Sequence, residues 1–264
     1  MAPFGASGDN SAMIEPGPVV PQPPADPNKP ASGQGPVSDP LPADTLRTNA
    51  QGRPITGPED GFGKLWRKHY HVRLPGVQMT PTELIEYWRQ EFGHIWPEGN
   101  VFYRPAAGLE EGEVALADLA MPAGTRLSSG VVVEDTEPTS FAFLTVRGHT
   151  FAGRITFSAV TVADDLVVRV ESVVRAGDPL YEIGLPLGGH AREDEFWLQT
   201  LRNLAMRLGV RAEPEMSMTL LDGHRKWGNA ANVRDNAYLR TAASLLSRPF
   251  RLVSGRLARK GGSS

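Results

Sequence analysis

Several groupings of side chains in this sequence could do chemistry. His149 follows Gly148, with Gly153 a few positions on, where two strands turn. An imidazole held there suits a general base or a polar anchor at a cavity mouth, because its ordinary pKa lies near neutrality. Glycines at such a turn equally supply positive φ, which leaves His149 a plain loop residue. Asp178, Tyr181 and Glu182 stand in the connection before a long helix, where a lid would lie, although Asp178-Pro179 is also an ordinary turn signal. His69 and His71 share one face of a strand. No third His or carboxylate stands at ligand spacing, so no metal is expected. Arg169 and Glu171 read as a paired, solvated strand face or as polar contacts lining a ligand site. Ser128-Ser129-Gly130 lacks the strand–elbow–helix setting of a hydrolase nucleophile. Gly61-Phe62-Gly63 has no third glycine and no strand before it, so nucleotide binding is unsupported and no cofactor is expected.

The element that would position these groups is the stretch Glu193 to Gly209. Phe196, Trp197, Leu201, Leu204, Ala205 and Leu208 recur there at helical spacing. Acids crowd its first turn and arginines come later, which suits the helix macrodipole, and Gly209 is a natural stop. Upstream, Trp66, Tyr70, Val72 and Leu74 alternate as in a strand. Thr80-Pro81-Thr82-Glu83 is a capping box with proline at the first helical position. The helix it opens carries Leu84, Trp88, Phe92 and Ile95 along one stripe, with Ile85 and Trp96 beside it, and ends at Pro97. From Asn100 to Arg175 the pattern is a run of strands, closing with a hairpin that turns at Asp164-Asp165. One face of that hairpin is polar and one apolar, so sequential hairpins form an antiparallel meander. The expected class is α+β: a curved antiparallel sheet gripping a long C-terminal helix, with an apolar space beneath it.

Composition divides the chain into three. Residues 1–62 form an expected disordered arm, since residues 1–60 are roughly one-third Pro plus Gly. Its PxxP spacings at Pro18–Pro21 and Pro21–Pro24 are what chance gives in so proline-rich a segment. Residues 63–210 form the folded body. Residues 211–264 form an extension of unassigned fold, in which Tyr238 to Lys260 offers a short helix broken at Pro249. Residues 1–60 carry three bases against seven acids, and residues 236–264 carry six bases and no acid. An acidic body with a basic tail is the charge pattern, and residues 236–264 suit an anionic membrane surface or a nucleic-acid backbone. There is no cysteine, no secretory signal and no apolar run of membrane-spanning length. The expected location is the cytoplasm, in a bacterium with a GC-rich genome.

Phe141-Ala142-Phe143, Gly148-His149 with Gly153, Asp178-Pro179-Leu180 and Gly184-Leu185-Pro186-Leu187 leading to the closing helix resemble domain of unknown function 1990. Thr150 and Arg154 depart from that family's usual Pro and acidic residue. The element order also looks like the START-like, or helix-grip (SRPBCC-like), superfamily of ligand-binding cups. That resemblance implies a hydrophobic cavity between sheet and C-terminal helix, and no particular reaction. A small hydrophobic ligand there would meet Phe143, Phe157, Trp197, Leu201, Leu204 and Tyr181. A binding protein is thus the leading expectation. An adaptor working through its basic tail, and a cyclase- or lyase-like enzyme using His149, are the alternatives.

Overall fold

The computed structural model describes residues 49–121 and 124–241. Nine strands make one antiparallel sheet: β1 (Ile55–Thr56), β2 (Leu65–Leu74), β3 (Val101–Tyr103), β4 (Val114–Ala120), β5 (Arg126–Glu137), β6 (Ser140–Val146), β7 (Phe151–Val162), β8 (Asp165–Ala176) and β9 (Glu215–Asp222). Their spatial order is β3-β4-β5-β6-β7-β8-β2-β9, with β1 beside β6. Helices among the described residues that lie with it include α1 (Pro81–Glu91), α2 (Pro179–Gly184) and α3 (His190–Arg207). This is a helix-grip architecture, a large curved sheet holding a long helix near its C-terminal end. No helix among the described residues is long and apolar enough to cross a membrane.

Local chemistry explains the joints. Thr80 accepts from the Glu83 N–H at 3.2 Å while the Glu83 carboxylate accepts from the Thr80 N–H at 2.7 Å, so the box closes in both directions. β7 and β8 pair from Val162↔Asp165 to Phe151↔Ala176. Ala163 and Asp164 form their two-residue turn, both at positive φ (48° and 70°). The turn sits one residue earlier than the expected Asp164-Asp165, because Asp165 already pairs with Val162.

Three boundaries differ from the sequence reading. Order begins by residue 49, within the expected arm: β1 pairs with β6, and Gly61 packs so closely on Arg175 and Ala152 that an added Cβ would lie 2.8 Å and 3.0 Å from theirs. Residues 49–62 carry no apolar periodicity, and backbone pairing and glycine contacts hold them instead. The Gly/Pro-rich connection before the long helix is itself largely helical, with α2 and a wider turn over Leu185–Gly189, so α3 starts at His190. Residues 211–264 do not form a separate extension throughout, since β9 joins the same sheet beside β2. Both PxxP spacings, and everything past Thr241 of the helix read over Tyr238 to Lys260, lie outside the described residues.

The core sits on the concave face between sheet, α1 and α3. Phe92, just past α1, meets Trp88, Trp96, Phe102, Phe141, Phe143 and Phe157 with ring centroids 4.9–6.4 Å apart. Phe141 and Phe157 stack at 4.7 Å, and Trp197 of α3 closes on Phe157 at 5.4 Å. Trp88, Leu201, Leu204 and Ala205 are fully buried in the same cluster. The space expected for a ligand beneath the helix is filled here by side chains. Two separate apolar stripes, one from α1 and one from α3, enter it, and their convergence is invisible to a pattern read one helix at a time.

Candidate functional site

The first turn of α3 crosses β2, and the meeting point is polar. Alternation along β2 points Trp66, Lys68, Tyr70, Val72 and Leu74 to the concave side, where Tyr70, Val72 and Leu74 are buried. Lys68 is fully buried and its Nζ donates to Glu193 and Asp194, each at 2.7 Å. The Tyr70 hydroxyl donates to the same Asp194 carboxylate at 2.7 Å. Burial raises the Glu193 pKa, and Lys68 opposes that shift. Burial also lifts Tyr70 far above the usual phenol range, helped by the charge of Glu193, so it stays a donor. Trp66 packs edge-on against His190 at 5.4 Å, and burial holds the His190 imidazole below its ordinary pKa. The cluster pins the helix start to the sheet. Lys68 shares the parity of the inward apolar residues of β2, and that parity is the signal by which it could have been found.

Beside this latch lies the mouth of the cup. A depression of about 540 Å³ opens between the first turns of α3 and the outer strands, lined by Asn100, Ala120, Met121, Arg192, Glu195 and Phe196 among others. Phe196 forms its aromatic wall. Behind it, Trp96 stands edge-on at 5.0 Å and Trp197 at 4.8 Å, and Trp96 continues to Phe102 at 5.1 Å. The Trp96 indole nitrogen and that of fully buried Trp88 are both shielded from solvent without a hydrogen-bond partner among the described residues. A buried donor left unmatched costs about 1–3 kcal/mol, so each marks a place where an acceptor would be gained.

The sequence candidates separate into three places. Phe143, Phe157, Leu201 and Leu204 are buried in the ring cluster, and half-buried Trp197 links that cluster to the mouth. Tyr181 is elsewhere: its hydroxyl accepts from the Tyr238 N–H at 3.2 Å. His149 lies in the same seam, its Nδ1 accepting from the Phe151 N–H at 3.0 Å, and burial pushes its pKa down to about 4. Gly148, at φ 95°, is pressed against the Asp235 carbonyl and Arg240, where a Cβ would not fit. The Gly-His signal therefore marks a docking seam. Asp178 caps α2, accepting from Leu180 and Tyr181 N–H groups at 2.8 Å and 3.1 Å, and its other oxygen accepts from Asn236 at 2.8 Å.

That seam is a clasp the sequence reading left unassigned. Asn229 donates to the carbonyls of Glu59 and Gly61, Asn232 to those of Asp60 and Gly177, and Asn236 to Asp178, all within 2.8–3.0 Å. Arg175, itself buried, donates to the Gly63 and His224 carbonyls and to Asp222 at 2.5–3.0 Å. Residues 57–63 and 223–241 are thereby tied to the end of the sheet. Of residues 236–264, expected to meet a membrane or nucleic acid, Asn236 and Ala237 are buried in the seam, and everything past Thr241 lies outside the described residues.

On the convex face the histidine pair has carboxylate neighbours: His69 lies 3.1 Å from Glu171 and His71 lies 3.7 Å from Glu215. Among the described residues no group of three or more His, Cys, Asp or Glu is placed to hold a metal ion. Ser128 donates to Asp118 at 3.0 Å, and Gly130 makes room for Ala50, so that triplet is structural.

No protein-family model and no curated protein matches the chain, so the likeness to domain of unknown function 1990 stays with the residues that carry it. Solved structures with a similar outline include protein Ms6760 from Mycobacterium smegmatis, 11% identical over 54% of this chain and 90% of that one, with a TM-score of 0.41. The di-domain ARO/CYC StfQ of the steffimycin biosynthetic pathway is 10% identical over 58% of this chain and 54% of that one, at 0.41. The major latex-like protein 151 of Panax ginseng is 14% identical over 55% and 98%, at 0.37. Likenesses this faint say nothing of what the chain binds.

Proposed function

We propose that this protein binds a small, largely apolar molecule carrying a hydrogen-bond acceptor, held at the mouth of the cup and not in its filled centre. The observation that carries this reading is the open depression walled by Phe196, with the unpartnered Trp96 indole one ring behind it. A flat aromatic or acyl group would lie on Phe196 and reach Trp197, while Phe143, Phe157, Leu201 and Leu204 form the floor that those rings rest on. The Trp96 N–H is shielded behind Phe196, so an acceptor on the ligand would reach it only once that ring turns aside, and Arg192 at the rim would favour an anionic end. A ligand role for Tyr181 would require the clasp to open first. The acid–base role of His149 is not carried forward, because its imidazole is engaged by the Phe151 backbone within the seam.

Native mass spectrometry of the full chain tests the reading. The expected result is a minor or major species heavier than the polypeptide by one small molecule, released on denaturation and lost in Phe196→Ala. A bare chain, combined with no saturable binding of any apolar probe, would overturn it.

A further inference from the structure

We propose that the outer face of α2 and of the wide turn after it is a docking surface for an anionic lipid membrane, held there by the basic end of the chain. Leu180, Ile183 and Leu187 recur at helical spacing on one face and are 44%, 62% and 81% exposed. The turn that carries Leu187 stands clear of the body, since a Cβ added at Gly184 or Gly188 would meet nothing within 4 Å. Single apolar side chains scattered over a surface are ordinary, but three that project together from one tip form a patch. Two further apolar groups flank it. Trp227, 73% exposed, follows two residues after Arg225, whose guanidinium donates to Glu182 of α2 at 2.9 Å. Leu239, 46% exposed, follows Tyr238, whose N–H donates to the Tyr181 hydroxyl at 3.2 Å.

An anionic lipid surface is the occupant whose charge fits. Between Pro179 and Arg192 the acid is Glu182, which is buried and paired with Arg225. The next exposed acid along the chain, Glu195, is turned toward Arg202 at 3.3 Å. Arg192 and Arg234 are exposed and have no partner among the described residues. Arg234 stands between Asn232 and Asn236, which bond Gly177 and Asp178 at the start of α2. Residues 237–241 are helical, so the described chain ends at Thr241, about 5 Å beyond Tyr238. Residues 242–264 then hold Arg248, Arg251, Arg256, Arg259 and Lys260 with no acid. A second copy of the patch, or this tail folded back on it, would bring more cations to a surface that already carries unpaired arginines. Anionic headgroups neutralise them while Leu180, Ile183 and Leu187 leave water. A nucleic-acid backbone would use the cations and leave those aliphatic side chains exposed. This inference does not rest on the ligand reading, since none of the three lines the mouth.

The test is flotation of the full chain with vesicles of phosphatidylcholine, alone or mixed with phosphatidylglycerol. Binding is expected to the anionic vesicles only and should weaken as salt is raised. Ile183→Glu with Leu187→Glu should lower the affinity about tenfold or more, with an unchanged melting curve because both side chains are exposed. Met206→Glu, at an exposed apolar site near the end of α3, should leave it unchanged. Arg256→Glu with Arg259→Glu should weaken binding at low salt. The small molecule expected at the mouth should be retained in Ile183→Glu with Leu187→Glu, so the two readings fail separately. Anionic-vesicle binding that survives that double substitution would overturn the proposal, as would equal binding to neutral vesicles. So would a full chain that ignores vesicles at every salt concentration, whether it binds duplex DNA through its tail, self-associates through the patch or covers the patch with its own tail.

Discussion

The ring cluster around Phe92 and the asparagine ladder of the clasp both join segments far apart in sequence, by opposite physics. In the cluster the contacts are non-directional: aromatic and aliphatic surface leaves water, and α1, α3 and six strands share the gain. In the clasp, Asn229, Asn232 and Asn236 each aim an amide at named acceptors, and the gain rests on geometry. The difference predicts how each region fails. Losing one ring should weaken the whole domain, while losing one amide should free a segment and leave the cup standing.

The largest effect is expected at the centre. Phe92→Ala should cost about 3–5 kcal/mol, read as a lowered urea midpoint, with hydrogen exchange accelerated in sheet, helices and clasp alike. If exchange rose only near α1, the cluster would not be the cooperative unit described. In the clasp, Asn236→Ala leaves a buried Asp178 oxygen without its donor and should cost about 1–3 kcal/mol. Limited proteolysis should then cut within residues 223–241 while tryptophan fluorescence of the core stays native.

The two regions should also part company in acid. His149 is held near 4 in the fold against an ordinary value of 6.5, so the unfolded chain binds the extra proton first. Its contribution is complete above about pH 6.5 and is lost as pH falls toward 4. Proteolysis of the clasp should therefore speed up across that window in the wild type and much less in His149→Gln. The smallest effect belongs to a local cap: Thr80→Ala should cost about 1 kcal/mol by calorimetry and leave the clasp untouched.

The same contrast explains what could be read from the sequence. The helix at Thr80, the β7–β8 hairpin and the long helix were legible because each announces itself by spacing within one element. The apolar stripes were legible too, but not that Trp88 and Phe92 would occupy the space beneath α3, since that depends on where two helices converge. Lys68 was hidden among the polar residues of WRKHYHVRL until parity placed it inward. The clasp was illegible in principle: an asparagine that binds a distant carbonyl has no periodicity, and its partners at Glu59, Gly61 and Gly177 lie in segments without an apolar pattern. Spacing places Phe196 on the long helix, but its place at the mouth depends on Asn100 and Ala120, more than seventy residues upstream.

The claim that the centre is filled and the mouth is the binding surface is tested most directly by a fluorescence titration of the full chain with anilinonaphthalene sulfonate, an anionic aromatic probe. The account predicts saturable binding by the wild type, retained in Thr80→Ala and lost in Phe196→Ala, with the melting temperature of Phe196→Ala close to wild type. Binding that survives Phe196→Ala unchanged, or no saturable binding at all, would contradict it.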